Sequence, residues 1–413
     1  MKTPAPVQAH RQIAGIRQAS QAVHRLACVS LLLVAAAGGL SACHAEEPGN
    51  ALPVTATDTP HDWPIWRGAP AMTGSAQGSL GNQLGLKWRQ QIDPGPLTGP
   101  VVAGGAVYVG SAAGQLHARR LSDGQAIWNA PVGDPDDPPP VQAPPMVHDG
   151  VVYIGGGDGA LHAFDARTGR TIWRYDTGDR IVGSANVHRD TAGRVLVVVG
   201  SYDNHLYALD AGTGELAWSA GSDHYVHGSP VVADDAVVFG GCDGVLRSLD
   251  PDDGREHWTR DLGEPIIATA AIVGDRVVIG HHGGAVLCFS LESGQELWSY
   301  QPSRGAFHAS AAVSEAVVVV GGRDRAVHAL ELDTGRRLWR QGLAATVDSS
   351  PVIVGDRVAV ICDDGRLHLL DLRTGSSLWQ HDVLERTAGG AAAAGDRLLV
   401  ATDAGELLCF GDP

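Results

Sequence analysis

The sequence predicts an all-β chain folded as an eight-bladed β-propeller, its last blade closed by an N-terminal strand. Three observations predict it. A turn glycine is followed four positions later by tryptophan at Gly124/Trp128, Gly169/Trp173, Gly214/Trp218, Gly254/Trp258, Gly294/Trp298, Gly335/Trp339 and Gly375/Trp379, and these tryptophans lie 45, 45, 40, 40, 41 and 40 residues apart. Self-similarity at such a period marks stacked or radial repeats. Within each period, short apolar runs alternate with Asp-Gly and Thr-Gly pairs, which supply the positive φ of hairpin turns. No segment carries a helical pattern with caps.

The repeat between two tryptophans reads as four strands. Ser229-Pro230-Val231-Val232-Ala233 opens one, and Ala236-Val237-Val238-Phe239-Gly240, Val245-Leu246-Arg247-Ser248-Leu249 and the strand carrying Trp258 follow. A four-stranded blade is too thin to bury both faces alone, so it stacks on its neighbours. Tryptophan on the fourth strand is expected to dock each blade on the next, which assigns Trp88, Trp128, Trp173, Trp218, Trp258, Trp298, Trp339 and Trp379 a structural role. First strands begin near Leu97, Gln142, Val182, His227, Ile267, His308, Asp348 and Thr387. The eighth repeat stops after Glu406 to Phe410 without its tryptophan strand. Leu86-Lys87-Trp88-Arg89-Gln90-Gln91, 40 residues before Trp128, is the missing piece. Pairing the two ends removes free sheet edges.

Ahead of the repeats, residues 1–25 hold Lys2, Arg11, Arg17 and Arg25 and no acid, and Leu26 to Leu40 form an apolar run too short to span a bilayer. The run ends at Leu40-Ser41-Ala42-Cys43, which resembles a bacterial lipobox. That resemblance implies cleavage before Cys43, acylation of its thiol, and a membrane anchor. His44 in the following position implies outer-membrane sorting, with the body in the periplasm. The expected organisation is a signal peptide over 1–42, a flexible linker over 43–61, an N-terminal extension over 62–83 and the propeller over 84–413. Trp63 and Trp66 in the extension fall outside the ring and are expected on a rim, as a plug or a docking point.

The formal net charge is −16 with no basic stripe, which excludes nucleic acid as a partner. No G-x-S-x-G elbow, P-loop or H-E-x-x-H is present. His227, His308 and Asp348 occupy equivalent inner positions in blades 4, 6 and 7 and form a candidate channel site for a metal or an anion, beside the bland reading of a wet, polar channel lining. His224 and Tyr225 cluster with His227. His117, His162, His328 and His368 share one third-strand register and read as packing. Cys242, Cys288, Cys362 and Cys409 show no C-x-x-C spacing. They are expected as buried free thiols, although Cys242 with Cys288, or Cys362 with Cys409, lie on neighbouring blades. The longest insertions, Asp134 to Pro140 and Gly221 to Val226, are the expected contact face.

The Gly-x-x-φ-Trp unit, with Leu161-His162-Ala163-Phe164-Asp165 and Leu206-Tyr207-Ala208-Leu209-Asp210 before it, resembles the PQQ-like propeller repeat over about 88–413. One branch of that family is the quinoprotein dehydrogenases. Their resemblance implies a quinone at the ring centre with an aspartate, a calcium held by Glu and Asn, a stacking Trp and often adjacent cysteines. The other is the non-enzymatic outer-membrane assembly lipoproteins of the BamB type. The lipobox, length, blade number, closing strand and Val347-Asp348-Ser349-Ser350-Pro351-Val352 are similar to the latter. Trp63-Pro64-Ile65-Trp66-Arg67-Gly68 instead resembles a leader of other bacterial PQQ-like repeat proteins. The BamB resemblance implies a scaffold without cofactor, metal or catalytic residues, anchored by lipid and bound to a protein partner such as the β-barrel assembly complex. The alternative is a propeller that binds a small ligand or acts as a quinone-dependent dehydrogenase.

Overall fold

The computed structural model describes residues 62–302, 305–387 and 390–413. The expected signal peptide, Cys43 and the linker to residue 61 lie outside the described residues. Among those described there are only strands and their connections, sorted into eight sheets, one per blade. Blades 1 to 7 are consecutive four-strand meanders, from Val101–Ala103 onward to Ser377–Asp382. Blade 8 joins Ala391–Ala394, Arg397–Ala401 and Glu406–Gly411 to the N-terminal strand Gly85–Gln91, with Trp88 opposite Cys409. The first strand of blade 1 lies against that of blade 8, so the ring is closed.

The tryptophans explain why the repeat needs its glycine. Each indole N–H from Trp88 to Trp339 donates to a carbonyl just past the third strand of the next blade: Leu121, Ala166, Ala211, Pro251, Leu291, Leu332 and Leu372, at 2.7–3.0 Å. The turn glycine of that next blade then lies flat on the indole. A Cβ on Gly254 would sit 2.6 Å from Trp218 Cε3, and one on Gly375 2.5 Å from Trp339 Cε3, both at positive φ. One residue therefore serves a hairpin and an inter-blade contact. The closing seam differs. Trp379 stacks on His381 at 5.6 Å and meets Phe410 edge-on at 6.0 Å. Blade 8 has no hairpin between its third and fourth strands, because those strands come from opposite ends of the chain.

The extension is not on a rim. Residues 63–76 fill the axis, where the first strands of the blades present their inner edges. Trp63 and Val102 exchange backbone hydrogen bonds at 2.9 and 2.8 Å. Val147, Val232, Ile272, Val313 and Ile353 donate their N–H groups to the carbonyls of Pro64, Pro70, Ala71, Thr73 and Gly74. Asn186 of blade 3 reaches Pro70 O through its side chain at 2.7 Å. Ser75–Ala76 adds a short parallel strand to blade 7. The physical reason is edge satisfaction: unpaired N–H groups on buried strands are costly.

Arg67 holds this plug together. It is buried, with Nη1 and Nη2 donating to Pro351 O at 2.7 Å and Ala311 O at 3.0 Å. Burial pushes its guanidinium down to about 9, which leaves it cationic at neutral pH. Gly68 packs against the Trp63 ring and Gly74 against the Arg67 guanidinium, so closely that neither admits a Cβ.

Candidate functional site

The plug turns the channel into a cup. Trp66 lines a cavity of about 470 Å³ together with residues from blades 1 to 7. That volume is in the range of small-molecule sites. Leu97, Gln142, Val182, His227, Ile267, His308 and Asp348, the equivalent inner positions of seven repeats, all line it. One repeat register thus becomes one wall, because each blade starts its first strand at the same distance from the axis.

The structure brings His227, His308 and Asp348 to the same cavity but gives each its own partner. His227 Nδ1 is 2.5 Å from the Tyr202 hydroxyl. His308 Nε2 is 2.9 Å from His282 Nδ1, with the rings stacked at 5.0 Å. Asp348 receives Arg323 through two bonds of 2.9 and 2.7 Å. Burial holds both cavity histidines below their ordinary value, Arg180 adding to the effect at His227 and Arg323 at His308. Among the described residues no three His, Cys, Asp or Glu side chains converge to hold a metal. The only carboxylate of the expected set, Asp348, is already taken by a bidentate arginine.

Two features of the cup escaped sequence reading. Two residues beyond the inner ring, Ser184, Ser229, Thr269, Ser310 and Ser350 form an arc over blades 3 to 7. The backbone N–H of each of the first four donates to the hydroxyl of the next, at 2.8, 3.0, 2.9 and 3.0 Å. The repeat signal was visible, as in Gly228-Ser229-Pro230, but reads only as blade-opening chemistry. The matching positions in blades 1 and 2 are Gly99 and Pro144, and with Pro96, Leu97, Pro140 and Val141 they make that side of the cup mainly apolar, with Thr98 and Gln142 as its polar side chains. The second feature is Arg180, whose guanidinium lies 4.5 Å over the Tyr202 ring. Tyr202 stacks on Tyr225 at 4.7 Å. No periodic signal marks Arg180, so nothing in the repeat exposes it.

Both long insertions approach this mouth. Pro140 lines the cup, and Tyr225 from Gly221 to Val226, 41 % exposed, stacks on the cavity-lining Tyr202. His117, His162 and His328 are instead buried against Asp93, Asp158 and Asp324 on the third-strand register. Cys242, Cys288, Cys362 and Cys409 are free, so neither neighbouring-blade pair is joined.

A family model described as outer membrane protein assembly factor BamB matches residues 85–192, 160–306 and 301–410. The chain belongs to this family. Among solved structures, BamB from Moraxella catarrhalis is 21% identical, with a TM-score of 0.66 over 80% of this chain and 98% of that one. The quinohemoprotein alcohol dehydrogenase from Comamonas testosteroni is 16% identical, with a TM-score of 0.71 over 86% and 81%. The computationally designed Ika8 protein is 18% identical, with a TM-score of 0.68 over 79% and 99%. At these identities the likeness is one of fold. No curated protein matches the sequence. Among the described residues no Glu, Asn or Cys lines the cup, and the one carboxylate there is paired with Arg323, so a quinone with its calcium finds no ligand set. That donor set does not suit a hard cation, which wants six or more oxygens.

Proposed function

We propose that this BamB-family chain is a non-enzymatic, periplasm-facing lipoprotein scaffold that acts in outer-membrane β-barrel protein assembly. The observation that carries the reading is the family match, which runs from residue 85 to 410. In this reading Cys43 carries the lipid and the propeller offers its loops to a protein partner. The contact face is the mouth of the cup, which Asp134 to Pro140 borders through Pro140 and Gly221 to Val226 through Tyr225 on Tyr202. Stacked Tyr202 and Tyr225 beside Arg180 form the kind of aromatic and arginine cluster that anchors interfaces.

The test is to tag the C-terminus, solubilise the envelope in mild detergent and identify what co-purifies. A large outer-membrane barrel protein with its lipoproteins supports the reading, and Tyr225→Ala should then weaken the association. A clean monomer removes it. Quinone-dependent turnover in the same preparation would replace it with the dehydrogenase reading, since quinohemoprotein enzymes share this fold.

A further inference from the structure

The cup carries a chemistry that the scaffold reading does not use. Ser229, Thr269, Ser310 and Ser350 each spend their oxygen accepting a backbone N–H from the preceding blade. Their own O–H hydrogens have no acceptor among the described residues, and all four side chains line the cavity. Ser229, Thr269 and Ser310 are at most 5 % exposed. The inter-blade bonds fix where the oxygens sit, so the donors are pre-positioned. A buried donor without an acceptor costs free energy, and three on one arc, with half-buried Ser350 beside them, point to a ligand that accepts.

The charge at the mouth has the same sense. Arg180 lines the cavity and lies over Tyr202, with no carboxylate partner among the described residues. Asp348, the one acid in the lining, is neutralised by Arg323. In a chain of net charge −16 this is a local reversal of sign. Opposite the hydroxyl arc the wall is mainly apolar, interrupted by Thr98 and Gln142, and Trp66 lines the same space. Only the plug makes the space blind, and so able to enclose a small molecule rather than pass it.

We propose that the cup is a receptor for a small organic polycarboxylate. The hydroxyl arc donates to its carboxylate oxygens, Arg180 supplies the counter-charge, and its carbon body rests on Trp66, Leu97 and Val182. His227 Nε2 and His308 Nδ1, which have no partner among the described residues, border the same space.

The experiment is calorimetric titration of the detergent-solubilised full chain with citrate and with tricarballylate, and with the neutral triamide of tricarballylate as control. The expected result is one-to-one binding of a tricarboxylate, no binding of the triamide, and at least a tenfold loss in Arg180→Gln. That change lies at an exposed position and leaves the blade packing alone. Thr269→Val, which removes one donor, should also weaken binding; since it strips an acceptor from Ser229 N–H, its melting curve is recorded beside the titration. Absence of heat with both tricarboxylates overturns the proposal. So does binding that is unchanged in Arg180→Gln or shared by the triamide. The scaffold reading is decided separately, by what co-purifies.

Discussion

Gly254→Ala perturbs the contact that repeats around the ring, and its cost separates into two parts. Gly254 has φ +74, and an added Cβ would lie 2.6 Å from Trp218 Cε3 and 2.9 Å from Cδ2. Holding alanine in the left-handed region costs about 1–2 kcal/mol, and forcing a methyl into a packed seam about 1–3 kcal/mol. The variant should therefore lose roughly 2–5 kcal/mol. Trp218→Ala alone, at a side chain 8 % exposed, should cost about 3–5 kcal/mol. The informative measurement is the double variant. With the indole gone the collision term disappears, and Gly254→Ala in that background should cost only the backbone part, about 1–2 kcal/mol. Gly263→Ala is the control, because Gly263 has φ +70 and nothing within 4 Å of its added Cβ. Urea unfolding of the wild type and the four variants reads all these differences. If Gly254→Ala costs the same with and without Trp218, the indole is not what the glycine is for, and the two-role account of the repeat motif fails.

Arg67→Ala removes the guanidinium bonds to Pro351 and Ala311. It should destabilise by about 2–4 kcal/mol and raise proteolysis within 63–76, whereas a change confined to the melting point would show that the plug does not depend on it. Burial is the largest cause holding His117, His227, His281, His308, His328 and His368 below their ordinary value. These groups stay neutral in the fold where the unfolded chain takes up protons. Their contribution is thus complete above the ordinary value near 6.5 and is lost as pH falls below it, by up to about 1.4 kcal/mol per pH unit for each group. The melting point should drop on acidification through that window, and less steeply in His328→Gln; a flat profile counts against it. Burial pushes the thiols of Cys288, Cys362 and Cys409 up to about 12. A maleimide should accordingly label only half-exposed Cys242 among these four in the native protein, and all four in urea; early labelling of Cys288 would contradict the packing.

The architecture was legible because its signals repeat. The spacing from Gly124/Trp128 to Gly375/Trp379 located every blade, and the orphaned Glu406 to Phe410 with Leu86 to Gln91 located the closure. The inner ring from Leu97 to Asp348 was legible for the same reason. What escaped was whatever occurs once. Trp63 to Ala76 has no repeat partner, so nothing in the periodicity placed it on the axis. Its cue was physical instead: inner strand edges need acceptors, and a segment bent at Gly68 and Gly74 can present carbonyls in several directions. Arg180 and Tyr202 escaped likewise, as a pair made by two non-equivalent positions.

Repetition and exception also divide the labour within the cup. An eight-fold ring by itself gives a channel with the same residue type on all sides, which suits no particular ligand. The hydroxyl arc breaks that symmetry, because only blades 3 to 7 carry Ser or Thr at its register, while blades 1 and 2 carry Gly99 and Pro144. The plug breaks the other symmetry, between the two ends of the channel. It does so from one strand of chain that bonds first strands in seven blades. A change to the plug should therefore alter the cup and the ring together, whereas a change to Arg180 should alter the cup alone. Comparing Arg67→Ala with Arg180→Gln in one melting and one titration experiment separates the two. A titration defect in Arg67→Ala without any loss of stability would mean that the leader belongs to the site and not to the fold.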